Sequence, residues 1–313
     1  EMEEAIAAQL KEIPYYLNFG PHTTPPAAEL AAKLATLTPG TLDKVFFGTG
    51  GSLANDTAVR IIHFYFNRLG QHNKKKIIAR TDAYHGSTYL SASVSGKPRD
   101  KNWLDFETDW IHHLSSPNPY RRAEGMSEED FCDHLVDELE GKILELGPEH
   151  TAALIAEPIL ASGGVIVPPT GYHARCLEVC RQYDVLYISD EVVTGFGRLG
   201  HWFASEEVFG IVPDIITVAK DITSGYVPLG AVLISERLIK EVGGEPDRGA
   251  SFANGFTYSG HPVACAAALA NLDVIEKDQM LENAREVGPY LQQKLRELID
   301  LPMVGDVRGL GLM

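Results

Sequence analysis

Short apolar runs that stop abruptly at polar residues, each separated from the next by a longer stretch of helical periodicity, narrow the folds open to this chain more than any other feature. Candidate strands lie at Lys44–Phe47, Lys76–Arg80, Ala152–Ala156, Val185–Ser189, Ile215–Ala219 and Leu229–Ser235. Between them, helical patterns cover Ser52–Leu69, Glu128–Leu146, Gly171–Tyr183, Pro262–Glu276 and Met280–Ile299. In the first of these, Ala54, Ala58, Ile61, Ile62, Tyr65, Phe66 and Leu69 form one apolar stripe. Such alternation predicts an α/β protein with a mainly parallel central sheet flanked by helices. The segment from Gly96 to Met126 carries three prolines and little periodicity, and reads as a long surface excursion. The last residues, VGDVRGLGLM, read as a strand entering a sheet.

At 313 residues the length suggests about two domains. The pattern divides into an N-terminal segment (1–20), a large domain (21–262) and the start of a smaller C-terminal domain (263–313). Charge excludes one class of partner: 27 basic against 43 acidic residues leave a net charge of −16, which repels a nucleic-acid backbone. A membrane span is not expected, because the most apolar stretch, Thr151–Pro169, is broken by Glu157, Pro158 and Gly163–Gly164. The opening EMEEAIAAQLKEI reads as an acidic amphipathic helix without the pattern of a signal peptide. Four scattered cysteines favour a reducing compartment, so a cytoplasmic location is expected. Cys176 and Cys180, four apart on a helix, have the spacing to share a metal, but small buried thiols at helical spacing are more often core, and no metal site is assigned.

In an open α/β sheet, ligands bind beyond the carboxyl ends of the strands. Five polar groups stand there: GTGGSLAND after VFF, TDAYHGS after KIIAR, Glu157–Pro158 after AALIA, Asp190–Glu191 after VLYIS, and Lys220 after IITVA. Each has a bland alternative, since turns need glycine, helix caps need serine and strand ends are often polar. All five on one edge is harder to dismiss.

GTGGSLAND puts two glycines and a serine at a strand-to-helix junction, where free N–H groups and the helix dipole attract a phosphate. It is neither a P-loop, which needs Lys and Ser or Thr after the last glycine, nor a dinucleotide fingerprint, since Leu53 holds the third glycine position. VLYISDEV also describes the metal-holding strand of nucleotide hydrolases, a reading weakened by the missing phosphate loop. Asp190 at a buried strand end needs a cationic partner, and a protonated ring nitrogen would serve. Lys220, following an apolar run, is expected to be partly desolvated and hence more nucleophilic, against the commoner alternative of a lysine snorkelling to water. The spacing from Asp190 to Lys220 fits one strand, one helix and the next strand.

Taken in order, GTGGSLAND, AYHGS, AEPI, ISDEVVTGFGRLG, TVAKDITSGYVPLGAV and FTYSGHPVACAAAL resemble the class-III aminotransferases, within them the omega-transaminases, over nearly the whole chain. The resemblance implies the PLP-dependent fold type I, pyridoxal 5'-phosphate (PLP) as cofactor, and a homodimer with shared active sites. It implies an amine or omega-amino acid as donor and a keto acid such as pyruvate as acceptor. Lys220 resembles the lysine that holds PLP through a Schiff base and shuttles the proton, and Asp190 the partner of the pyridinium nitrogen. Tyr84 and Val192 would pack on opposite faces of the ring, Val192 because two residues along a strand return to one face. Gly51 and Ser52 resemble the phosphate cup, and Thr257 the threonine that reaches the phosphate from the other subunit. Glu157 and His85 resemble neighbouring motif residues, and Phe19 an aromatic of the substrate pocket. Relatives usually carry Glu where Leu53 stands, and extend further at both ends. Their carboxylate-gripping arginine lies beyond Met313, so Arg308 is not assigned that role. Another PLP reaction (aminomutase or decarboxylase) and a non-catalytic scaffold are the competing functional readings.

Overall fold

A computed structural model describes residues 1–18, 22–243 and 251–313. Helices α1 (Met2–Glu12) and α2 (Pro25–Leu37) precede strand β1 (Lys44–Gly48), which leads into the long helix α3 (Gly51–Arg68). Strand β2 (Lys76–Arg80), the short helix α4 (Tyr89–Val94) and strand β3 (Ile111–Leu114) follow. Next come α5 (Glu128–Leu146), β4 (Thr151–Ala156), α6 (Tyr172–Gln182), β5 (Leu186–Asp190) and the single-turn α7 (Ala204–Glu207). The chain continues through β6 (Ile215–Val218), β7 (Gly230–Ile234), α8 (Glu236–Val242), α9 (Pro262–Lys277) and α10 (Met280–Arg296).

The strands form one sheet in the order β1-β7-β6-β5-β4-β2-β3. The pairs β2–β3, β2–β4, β4–β5 and β5–β6 are parallel, whereas β7 runs antiparallel to both β6 and β1. Two reversals cancel, so β1 points the same way as β6 and its carboxyl end opens on the same edge as those of β2, β4 and β5. That shared edge is what lets sequence-distant residues meet.

Because side chains alternate across a strand, the two faces of the sheet separate by parity. Ile77, Ala79, Ala153, Ile155, Leu186, Ile188, Ile215 and Val232 pack against the stripe of α3. Opposite, Ile216, Val218, Ala231 and Leu233 meet α2 and α9, while Ile78, Leu154, Ala156 and Tyr187 meet α5 and α6. Strands covered on both sides explain the unbroken apolar runs. Cys176 and Cys180 belong to the α5–α6 layer, and burial pushes the Cys176 thiol up to about 12.

Two expectations need correction. The terminal VGDVRGLGLM forms no strand; 302–313 is turn and irregular chain, with Leu310 and Met313 lying partly buried against Ile159 and Leu199. The excursion 96–126 contains the edge strand β3, whose short IHHL run carries two histidines and so lacks a strand-like apolar signature. Gly230 is required where β7 passes the glycine loop, since a Cβ there would come within 2.6 Å of the Gly50 carbonyl oxygen.

Candidate active site

Asp190 shares parity with Leu186 and Ile188, so it emerges on the face covered by α3. Asn55, one turn into α3, meets it there: its amide donates to Asp190 Oδ2 at 2.8 Å and to the His85 carbonyl at 2.7 Å. The Thr217 hydroxyl donates to Asn55 Oδ1 at 2.7 Å, fixing which way the amide points. His85 Nδ1, 2.8 Å from Asp190 Oδ2, donates the second bond to that oxygen, and the Val192 N–H donates to Oδ1 at 3.1 Å. An ionised carboxylate accepts about four hydrogen bonds, so Asp190, only 4% exposed, keeps acceptor capacity for a ligand's N–H.

The same cavity, about 290 Å³, is lined by Gly51, Ser52, Tyr84, His85, Glu157, Asp190, Val192 and Lys220. A larger hollow of about 670 Å³ between α2 and the 251–260 segment has, among the described residues, His22 as its only titratable lining group, so size is a poor guide to chemistry here. At the cavity wall α3 begins without a side-chain cap, and its first helical bond runs from the Ala54 N–H to Gly50. The N–H groups of Gly51, Ser52 and Leu53 therefore precede the helical bonding pattern and offer an anion site. Gly86 completes that wall: at φ +138° its backbone favours glycine, and a Cβ would come within 2.5 Å of Ser52 Oγ.

Glu157 follows β4 and accepts from the Tyr84 N–H at 2.9 Å and the Ala161 N–H at 3.1 Å, tying two cavity loops together. Burial pushes its carboxyl up, opposed mainly by His85. Beneath it, Arg80 donates to the Glu157 carbonyl, while His173 bridges the Pro158 carbonyl at 2.9 Å and the Tyr187 hydroxyl at 2.7 Å. Glu191, adjacent to Asp190, points elsewhere. Its carboxylate accepts from the N–H groups of Ala204 and Ser205 and the hydroxyls of Thr194 and Ser205, holding the 194–205 loop.

Of the ten residues singled out from sequence, eight line this one cavity. Thr257 does not: it is exposed, and its carbonyl accepts from the Tyr15 hydroxyl at 2.9 Å. Phe19 lies outside the described residues. Two physical expectations change. Lys220 is exposed rather than desolvated, because β6 ends at Val218 and the lysine begins the following turn at φ +46°. Val192 sits beyond the end of β5, so a turn closed by its N–H on Asp190, not strand alternation, brings it to the cavity. Asn55 and Ser162 were not singled out; Asn55 stands within GTGGSLAND, four residues after Gly51, a spacing that returns to the same helix face.

A helix start for a phosphate, a buried carboxylate with a vacant lone pair for a ring nitrogen, and a primary amine in one cavity fit the donor set PLP requires. Comparison with known proteins agrees. A family model described as aminotransferase class-III matches residues 1–313. The chain is 42% identical to gamma aminobutyrate transaminase 2 of Solanum lycopersicum, aligning 99% of this chain with 68% of that protein. It is 41% identical to putrescine–pyruvate aminotransferase of Pseudomonas aeruginosa, over 100% of this chain and 68% of that one. Among solved structures, the omega transaminase from Pseudomonas jessenii in complex with PMP superposes with a TM-score of 0.96 at 43% identity, covering 99% of this chain and 69% of that chain. Identity at this level along the whole chain, together with a cavity of the required chemistry, means that the chain belongs to the class-III aminotransferases, PLP-dependent enzymes that transfer amino groups.

Proposed function

We propose that this chain carries the amino group of an amine or omega-amino acid to a keto acid such as pyruvate, with Lys220 and Asp190 as the catalytic pair. The observation that carries the reading is their convergence: two residues thirty positions apart line one cavity with the helix start at Gly51–Ser52. Bound PLP supplies an electron sink for the carbon that loses its proton. Lys220 Nζ is the covalent tether of the coenzyme and carries the proton. Asp190 would pair with the ring nitrogen, while Asn55 and His85 hold its carboxylate in place. Tyr84 and Val192 would flank the ring, Gly51 and Ser52 would bind the phosphate through their N–H groups, and Glu157 fixes the Tyr84 loop.

Thr257 in this reading serves the site of a second copy in a homodimer. Its exposure supports this, as does that of neighbouring Tyr15 and Tyr258. Residues 263–313 are read as the start of a smaller unit, although its first helix, α9, packs into the core beside α2; the support comes from 280 onward, where among the described residues only the partly exposed Leu281, Leu310 and Met313 pack against the apolar clusters. Among the described residues no helix is long and apolar enough to cross a membrane. Four buried free cysteines support a cytoplasmic setting, and the net charge of −16 disfavours nucleic acid as a partner.

The test is a panel of diamines, omega-amino acids and arylalkylamines with pyruvate. Alanine formation is the expected result; carbon dioxide or an isomerised amino acid in its place would assign another PLP reaction, and a protein that never takes up PLP would be a scaffold.

A further inference from the structure

Asn271 is out of character with the helix that carries it. Its neighbours on the buried face of α9, Ala264, Ala268, Leu272 and Ile275, pack into the apolar core, and Asn271 stands among them only 4% exposed. An amide in such a place costs stability unless its polar atoms find partners. Among the described residues, its side-chain partners all lie in one short turn. The amide nitrogen donates to the Asp221 carbonyl at 2.9 Å and to the Ile222 carbonyl at 3.2 Å, and Oδ1 accepts from the Ser224 hydroxyl at 2.7 Å.

That turn begins with Lys220. Its backbone is unusual twice over, since Lys220 at φ +46° and Ser224 at φ +47° both occupy the left-handed region that residues with a Cβ avoid. Within the turn, the Lys220 carbonyl accepts from the Thr223 N–H at 3.2 Å and the Gly225 N–H at 3.3 Å. Bonds of that length are at the weak end of the range, and such conformations persist only where their surroundings over-determine them. The side chain from α9 supplies what the turn lacks, because its three bonds tie residues 221, 222 and 224 to a helix packed in the core.

We propose that Asn271 is a positioning residue for the catalytic lysine, pinning the 220–225 turn to α9 so that Lys220 keeps the backbone conformation that sets it against the cavity. This rests on the transaminase reading and deepens it, by assigning the part that holds the proton-carrying amine in place. Lys220 is exposed, so packing around its side chain restrains it little and the backbone must do so. An amine that tethers a coenzyme and then carries a proton works only within a narrow range of positions. Asn271 does not line the cavity; it acts through the peptide groups of Asp221 and Ile222.

The experiment uses the PLP-loaded chain, with pyruvate and whichever donor of the panel above yields most alanine, together with hydrogen exchange of the 220–225 turn read by mass spectrometry. Asn271→Ala should lower kcat about 10²-fold with KM for both substrates unchanged, the cost of misplacing a reacting group by about 1 Å. Exchange should quicken in 220–225 and keep its wild-type rate in the sheet. Ser224→Ala removes one of the three bonds at an exposed position and should lower kcat about fivefold with the same local signature. If Asn271→Ala does not fold, Ser224→Ala decides by the same two signs. Near-normal kcat in Asn271→Ala, a rise in KM at retained kcat, or exchange that quickens throughout the chain would make Asn271 an ordinary core amide and overturns the proposal. A wild-type chain that takes up no PLP or forms no alanine sinks the transaminase reading instead, and exchange in Asn271→Ala then decides alone whether α9 holds the turn.

Discussion

The neighbourhood of Asp190 and the surface around Thr257 are built by opposite means. At Asp190 one side chain is held by donors from α3, from the loop after β2 and from its own turn, all internal to the chain and nearly all buried. Around Thr257 the residues are exposed, Tyr258 at 58% and Tyr15 at 41%, and the contacts that exist, such as the Tyr15–Thr257 bond, lie on the outside. The contrast separates a buried carboxylate whose hydrogen bonds are completed within the chain from an exposed surface that the proposed second copy would cover.

Four changes would break or sharpen that contrast. The largest effect belongs to Lys220→Ala, which should abolish turnover and the visible absorbance of the lysine-bound coenzyme; a retained spectrum would show that another amine is the tether. Asp190→Asn keeps the shape but loses the charge, and should lower kcat by about 10²–10³-fold while PLP still binds, as expected for removing a charge that the reacting group depends on. Near-normal turnover would mean that the buried network is structural only. Glu191→Ala strips four donors of their acceptor and should cost about 2–4 kcal/mol in denaturant unfolding, since the Ala204 and Ser205 N–H groups are left buried and unpaired. Thr257→Ala should leave stability unchanged and weaken PLP about fivefold, the size of one hydroxyl contact. Loss of stability instead would move Thr257 into the self-contained half of the molecule.

The buried half should also show itself in acid. Burial lowers the His173 pKa from 6.5 to about 3 in the folded chain. The unfolded chain therefore binds more protons between these values, so stability conferred by neutral His173 is present above about pH 6.5 and is lost as the pH falls toward 3. His173→Gln should flatten the unfolding profile over that window, and an unaltered acid slope would place the sensitivity elsewhere.

The sheet and its loaded edge were legible in sequence because strands buried on both faces must be apolar throughout, and the change to polar residues marks where each one stops. Antiparallel β7 reads like its parallel neighbours, since burial and not direction sets its composition, and β3 escaped notice because an edge strand tolerates histidines. Motif order picked out eight residues that the structure brings together around one cavity. What it could not supply was the support around them. Asn55 holds Asp190 through a pairing 135 residues apart, and Thr217 orients Asn55 across 162. Lys220 was misjudged in its surroundings, because an apolar run before a residue says nothing of the turn that follows it.

Borohydride reduction of the PLP-loaded protein, followed by mass spectrometry of its peptides, bears most directly on whether one cavity unites the amine and the buried acid. The expected result is a pyridoxyl phosphate adduct on the peptide containing Lys220, its yield falling sharply in Asp190→Ala. An adduct on any other lysine, or none at all, would contradict the site described.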